Sequence, residues 1–106
     1  MRIIARRTLL QFVEGLTGRR DHAAVKDAVE LWYDRANKAR WRNSADVKQT
    51  FATASIVNSE RIVFNIKGND YRLIVAIDFE KSIIWIKWIG SHKDYDQLDA
   101  ARVRYD

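Results

Sequence analysis

Apolar positions along this chain change period near its middle, and the change predicts helices first and a sheet afterwards. Leu9, Leu10, Phe12, Val13 and Leu16 gather on a first helix, with Thr8 as its expected N-cap and Thr17-Gly18 as its stop. Val25, Ala28, Val29, Trp32 and Ala36 fall at i, i+3, i+4, i+7 and i+11, one apolar stripe on a second helix. That helix is expected to be capped by Asp21 and to reach about Ala39. Ahead of both, Arg2 to Ala5 reads as a short edge strand.

From Arg61 onward the pattern alternates in three strand-like runs. Gly68-Asn69 suits a two-residue hairpin loop, which sets Lys67 against Asp70, Asn65 against Arg72, Phe64 against Leu73 and Ile62 against Val75. Glu80-Lys81 as a second such loop pairs Ile77 with Ile84, Val75 with Ile86 and Leu73 with Trp88. In this register Ile62, Phe64, Ile66, Leu73, Val75, Ile77, Ile84, Ile86 and Trp88 share one face, where the helices should pack. Val63, Asn65, Arg72, Ile74, Trp85 and Lys87 share the other, expected to be incompletely covered. A slip of one residue would mix the two sets. Arg72 would then oppose Ile89, so that Gly90, Ser91 and His92 emerge beside it, with Asn65 on its other flank. The segment from Asp46 to Ser59 is weakly patterned; Phe51, Ile56 and Val57 are expected to tuck it, with a short strand, against the body.

The 106 residues suit a single domain, 1–106, with one core. Without cysteine, and with only His22 and His92, the chain offers neither a disulfide framework nor a convincing metal-ligand set. Its start, MRIIARRTLL, is too short and too broken by arginine for a membrane span or a signal peptide, which makes a cytoplasmic location the expectation.

Nineteen Lys and Arg against fourteen Asp and Glu leave a formal charge of +5, which favours a polyanionic partner, although solubility alone accounts for such a balance. The cations concentrate at Arg35, Lys38, Arg40, Arg42 and Lys48, with Trp41 among them. Two readings fit that run: basic residues with an aromatic ring grip an RNA backbone, or cations complement a helix C-terminus while the indole folds into the core.

The strings VFNIKGNDYRLIVAI and IKWIGSHKDYD at this spacing resemble the HigB toxins of toxin–antitoxin modules, within the wider RelE-like group. The RIIA start, LWYDRANKARW and ADVKQTF also fit, so the resemblance covers nearly the whole chain. It implies an α+β fold, a small antiparallel sheet with two N-terminal helices packed on one face. It also implies a monomeric toxin that cleaves mRNA in the ribosomal A site without metal or other cofactor, neutralised by a HigA-type helix-turn-helix antitoxin. Operator DNA would be met only through that antitoxin. Carried over, the arginine of the YRL motif is Arg72, the terminal-strand His or Arg is His92, and the aromatic of the short tail is Tyr95. Ser91 replaces the usual threonine of a GTH motif. Lys67 and Lys48 correspond more loosely to basic residues near the preceding hairpin.

For metal-free cleavage the 2′-hydroxyl attacks the adjacent phosphorus and the 5′-oxygen leaves, which requires a base, an acid and a cation for the phosphorane oxygens. A guanidinium fork assigns the cation to Arg72; an imidazole, with an unperturbed pKa near 6.5, assigns proton transfer to His92. Tyr95 would stack on a base or orient the phosphate, and Asn65, Lys48, Lys67 and Lys87 would add RNA contacts. The plainer readings are a solvated histidine, an arginine paired with Asp70 or Asp94, and a tyrosine that anchors a lid. Two other functions share these features: a basic module that binds RNA or protein without cleaving it, and a gyrase-poisoning toxin of the ParE type.

Overall fold

The computed structural model describes residues 1–99; residues 100–106, which the expected domain would include, lie outside the described residues. The chain runs β1 (Arg2–Ile4), α1 (Arg6–Gly15), α2 (His22–Lys38), α3 (Ser44–Thr50), β2 (Ser55–Ile56), β3 (Arg61–Ile66), β4 (Tyr71–Asp78), β5 (Ile83–Ser91) and α4 (His92–Tyr95). The strands form one five-stranded sheet in the order β1-β5-β4-β3-β2. It is an α+β fold, antiparallel throughout except that β1 pairs parallel with β5.

The first helix begins earlier than its sequence suggests. Ala5 takes a left-handed conformation, φ 71°, directly after β1 and serves as the N-cap, which places Thr8 inside the first turn rather than ahead of it. An edge strand held in register with β5 reverses straight into the helix, and that geometry outweighs the hydroxyl cap of Thr8. In α2 the stripe is realised, with Val25, Val29, Trp32 and Ala36 buried. Asp21 is its N-cap, but the carboxylate caps no backbone N–H. It accepts instead from the Tyr71 hydroxyl at 2.5 Å, which ties the start of α2 to the start of β4. Phe12 packs edge-on against the same tyrosine ring, 5.6 Å between centroids.

The helices cover the face carrying Ile62, Phe64, Ile66, Leu73, Val75, Ile77, Ile84 and Ile86, all buried. Trp32, Trp41, Phe51 and Phe64 form the aromatic part of this core. Trp41 is 4% exposed, and its indole N–H donates to the Thr50 hydroxyl, so the core reading of that residue holds and base stacking by it does not. The weakly patterned segment contains a helix, α3, capped by the Asn43 side chain on the Asp46 N–H. Phe51 is packed as expected, whereas Ile56 and Val57 are exposed rather than tucked.

The β3–β4 register is the expected one, Asn65 to Arg72, Phe64 to Leu73 and Ile62 to Val75. Its turn places Lys67 and Gly68 at positive φ. The β4–β5 register begins as expected, Ile77 to Ile84 and Val75 to Ile86, and then shifts at a β-bulge. Lys87 is the extra residue, so Trp88 opposes Ile74, Ile89 opposes Leu73 and Gly90 opposes Arg72. The expected Leu73–Trp88 and Arg72–Ile89 pairs therefore do not form. A bulge inserts one residue into the alternation and exchanges the faces of all that follow. Ile89 joins the helix-side core in place of Trp88.

Candidate functional site

Arg72 occupies the second position of β4, on the face away from α1 and α2, between Asn65 of β3 and Gly90 of β5. The bulge delivers Trp88 to this face. There the ring lies over Gly90, where an added Cβ would come within 2.5 Å of the Trp88 six-membered ring. No side chain fits between that indole and the strand, which makes glycine a requirement of close approach at this position. Tyr95, the last residue of α4, stands 6.4 Å from the Trp88 ring, centroid to centroid.

α4 begins where β5 ends. The Ser91 hydroxyl accepts from the Asp94 N–H at 3.1 Å, and the His92 N–H donates to the Asp70 carbonyl at 2.9 Å. These two bonds turn the chain back over the Arg72 end of the sheet and fasten it to the β3–β4 turn. Four half-exposed residues, Asn65, Arg72, Lys87 and Trp88, mark that end. Farther along the same face Val63 and Ile74 are buried. Beyond them Ala76 and Trp85 are again half-exposed, so the expectation of an incompletely covered face holds at both ends of the sheet and fails in its middle.

The Arg72 guanidinium is held by neutral oxygens. It donates to the Asn69 carbonyl (3.0 Å), the Asn69 side-chain oxygen (2.6 Å) and the Tyr71 carbonyl (3.2 Å), and its carbon lies 5.8 Å from the Tyr95 ring centre. Neither Asp70 nor Asp94 pairs with it. Asp70 forms its ion pair with Lys67, at 3.0 Å. The positive charge of Arg72 is therefore fixed in place by the turn but not cancelled by a carboxylate, among the described residues. A cation held this way can receive an oxyanion through its fork, with the tyrosine ring alongside as a stacking surface.

The seven residues singled out from the sequence do not all converge. Arg72, Asn65 and Tyr95 share the corner, and Lys67 flanks it through the turn that holds Arg72. His92 belongs to the same helical turn as Tyr95, but its imidazole faces Asp96, Nε2 to Oδ1 3.3 Å, and no contact joins it to Arg72 among the described residues. Lys87 is the bulge residue. Lys48 lies apart on α3, where its ammonium donates to the Ala54 carbonyl at 2.9 Å. Among the described residues, no group of three or more His, Cys, Asp or Glu side chains could hold a metal ion, and no helix is long and apolar enough to cross a membrane.

Two participants escaped the sequence reading. Simple alternation puts Trp88 on the opposite face, because nothing in IIWIKWIG marks where the alternation slips. Tyr71, next to Arg72 but on the helix side, bears on the site through Asp21. Its hydrogen bond to the carboxylate, with burial second, raises the phenol pKa above its ordinary 10.0 and is the main cause lowering that of Asp21 below 3.8. The unused capping role of Asp21 was the available hint.

A family model described as HigB toxin, RelE-like toxic component of a toxin-antitoxin system, matches residues 25–98. The matched segment runs from within the first turn of α2 through α4 and takes in all seven of these residues. No curated protein matches the chain.

Proposed function

Since this chain belongs to the HigB toxin family, the RelE-like toxic components of toxin–antitoxin systems, we propose that it arrests growth as a cytoplasmic, ribosome-dependent mRNA endoribonuclease restrained by a HigA-type helix-turn-helix antitoxin. The observation that carries this reading is Arg72, an uncancelled guanidinium fixed beside an aromatic ring at a half-open sheet end. Arg72 binds the scissile phosphate and stabilises the charge that develops as the 2′-hydroxyl attacks. Tyr95 stacks on the neighbouring base or orients the phosphate, and Asn65, Lys67 and Lys87 add contacts around the strand. Lys48, on its separate element, contributes charge at a distance.

His92 transfers the proton. In this structure its imidazole is paired with Asp96, so it reaches substrate by rotating away from that carboxylate. Such looseness in the absence of substrate is compatible with catalysis, because catalytic hydrogen bonds often tighten only in the substrate complex. Acting as the single domain 1–106, the protein would meet operator DNA through its antitoxin.

Induced expression tests the reading. Growth arrest with codon-linked breaks in cellular mRNA, relieved in folded Arg72→Ala and His92→Ala variants, supports it. Arrest with intact transcripts points instead to gyrase or to binding without cleavage.

A further inference from the structure

At the far end of the molecule from Arg72, the C-terminus of α2, the segment after it and α3 border an open trough of about 610 Å³ lined by Arg35, Lys38, Arg40 and Arg42 together with Asp34 and Asp46. A second hollow, bordered by Arg40, Arg42, Phe79 and Ser82, continues it to the β4–β5 turn. Two rulers place this trough. The Tyr71–Asp21 bond pins the start of α2 beside Arg72, and the 17 residues of α2 then carry the chain about 25 Å. The 8 residues of β4, from Tyr71 to the turn that borders the trough, cover roughly the same distance.

The three arginines, unlike Lys38, have no evident structural task. The carbonyls at the end of α2 are met by the Met1 amino group, which donates to Ala36 (3.2 Å), Asn37 (2.8 Å) and Ala39 (2.8 Å). Arg35, Arg40 and Arg42 are exposed, and none pairs with a carboxylate among the described residues. The acids at the trough are otherwise engaged: Asp34 pairs with Lys38 at 3.1 Å, and Asp46 accepts from the Arg42 backbone N–H at 2.9 Å. Burial, and then the nearby charge of Arg40, lower the pKa of the Met1 ammonium, a sign that positive charge here repels positive charge.

We propose that this trough is a second anion site, in which Arg35, Arg40 and Arg42 grip the phosphate backbone of structured RNA away from the cleavage corner. Guanidinium forks match phosphate oxygens and need no base-specific contact. A protein partner is disfavoured because an interface core is apolar and aromatic, whereas of the two large apolar residues here Trp41 is buried in the domain core and Phe79 is partly buried against it. The trough deepens the nuclease reading and rests on it for the choice of RNA: one end holds the strand to be cut while the other holds a neighbouring folded RNA.

The test is equilibrium binding of a fluorescein-labelled, 2′-O-methylated RNA hairpin, which presents its phosphates and cannot be cut, across a KCl series. R40Q/R42Q is expected to bind about tenfold or more weakly near physiological salt and to flatten the slope of log affinity against log salt by about 2. R72A, which removes a single phosphate contact at the other end of the molecule, should flatten the slope by no more than about 1. R40K/R42K should keep most of the slope, which separates charge from misfolding. Unchanged affinity and slope in R40Q/R42Q overturns the proposal. So does a variant that binds RNA normally but no longer binds antitoxin, which would make the trough a protein-docking site. If the flattened slope is found but the parent does not cut ribosome-bound mRNA, the trough stands and the nuclease reading falls; cutting with an unchanged slope gives the reverse.

Discussion

Arg72 and Gly90 face each other across the β4–β5 ladder, and the bulge at Lys87 is what makes them partners. Without that extra residue Arg72 would oppose Ile89, and Trp88 would turn toward the helices. With it, one end of the sheet carries a guanidinium, an indole and, from α4, the Tyr95 ring. Replacing Arg72 by alanine removes the cation while leaving the fold, and should lower the cleavage rate by about 10²–10³-fold, as for loss of one transition-state donor. Arg72→Lys keeps the charge without the fork and should recover only part of that loss. Single-turnover cleavage of ribosome-bound message measures both.

Gly90→Ala tests the packing of the same corner. The new methyl would stand 2.5 Å from the Trp88 ring, so the indole must move or the strands must separate. Overpacking of this kind costs about 1–3 kcal/mol, a fall in Tm of roughly 4–8 °C per kcal/mol for a domain of this size. Thermal unfolding by circular dichroism reads the loss, and the near-ultraviolet band should report the displaced indole.

Tyr71→Phe removes the bond that joins α2 to β4. The carboxyl of Asp21 titrates lower in the folded chain than its ordinary 3.8, so its share of stability is present above that pH and is lost as pH falls through the folded value. The phenol of Tyr71 titrates higher than its ordinary 10.0, so its share is present below pH 10.0 and is lost as pH rises through the folded value. The Tm difference between parent and Tyr71→Phe should therefore be a plateau across neutral pH that shrinks at both extremes. A difference independent of pH would mean that the hydrogen bond contributes nothing.

His92→Gln should reduce cleavage by about 10²–10⁴-fold, the usual range for a lost acid–base group. Asp96→Asn frees the imidazole from its partner and should lower activity far less, or raise it. Comparable losses in both variants would make the His92–Asp96 pair structural.

Much of this was legible in the sequence, for identifiable reasons. Gly68-Asn69 fixed the β3–β4 register because few residues accept positive φ, even though the left-handed pair proved to be Lys67 and Gly68. The α2 stripe was readable because five apolar residues keep one helical face. The bulge was not, since Ile86, Trp88 and Ile89 are all apolar and either neighbour can fill the inward position. α3 escaped because seven residues with one buried side chain, Val47, carry no periodicity, although Asn43 followed by Asp46 was an N-cap signal. Within the site, Arg72 and its Asn65 neighbour followed from register, and Tyr95 followed from family resemblance. The Asp96 contact of His92 depends on the pitch of a single helical turn.

The proposed function stands or falls on whether the Arg72 corner cuts RNA. The most direct measurement adds purified protein to ribosomes paused on a defined message and maps the message ends by primer extension. Breaks are expected only in the codon in the A site, and none with an R72A/H92A variant that retains the parent's circular dichroism spectrum. An intact message with the parent protein, or the same breaks with the folded double variant, would contradict the proposed function.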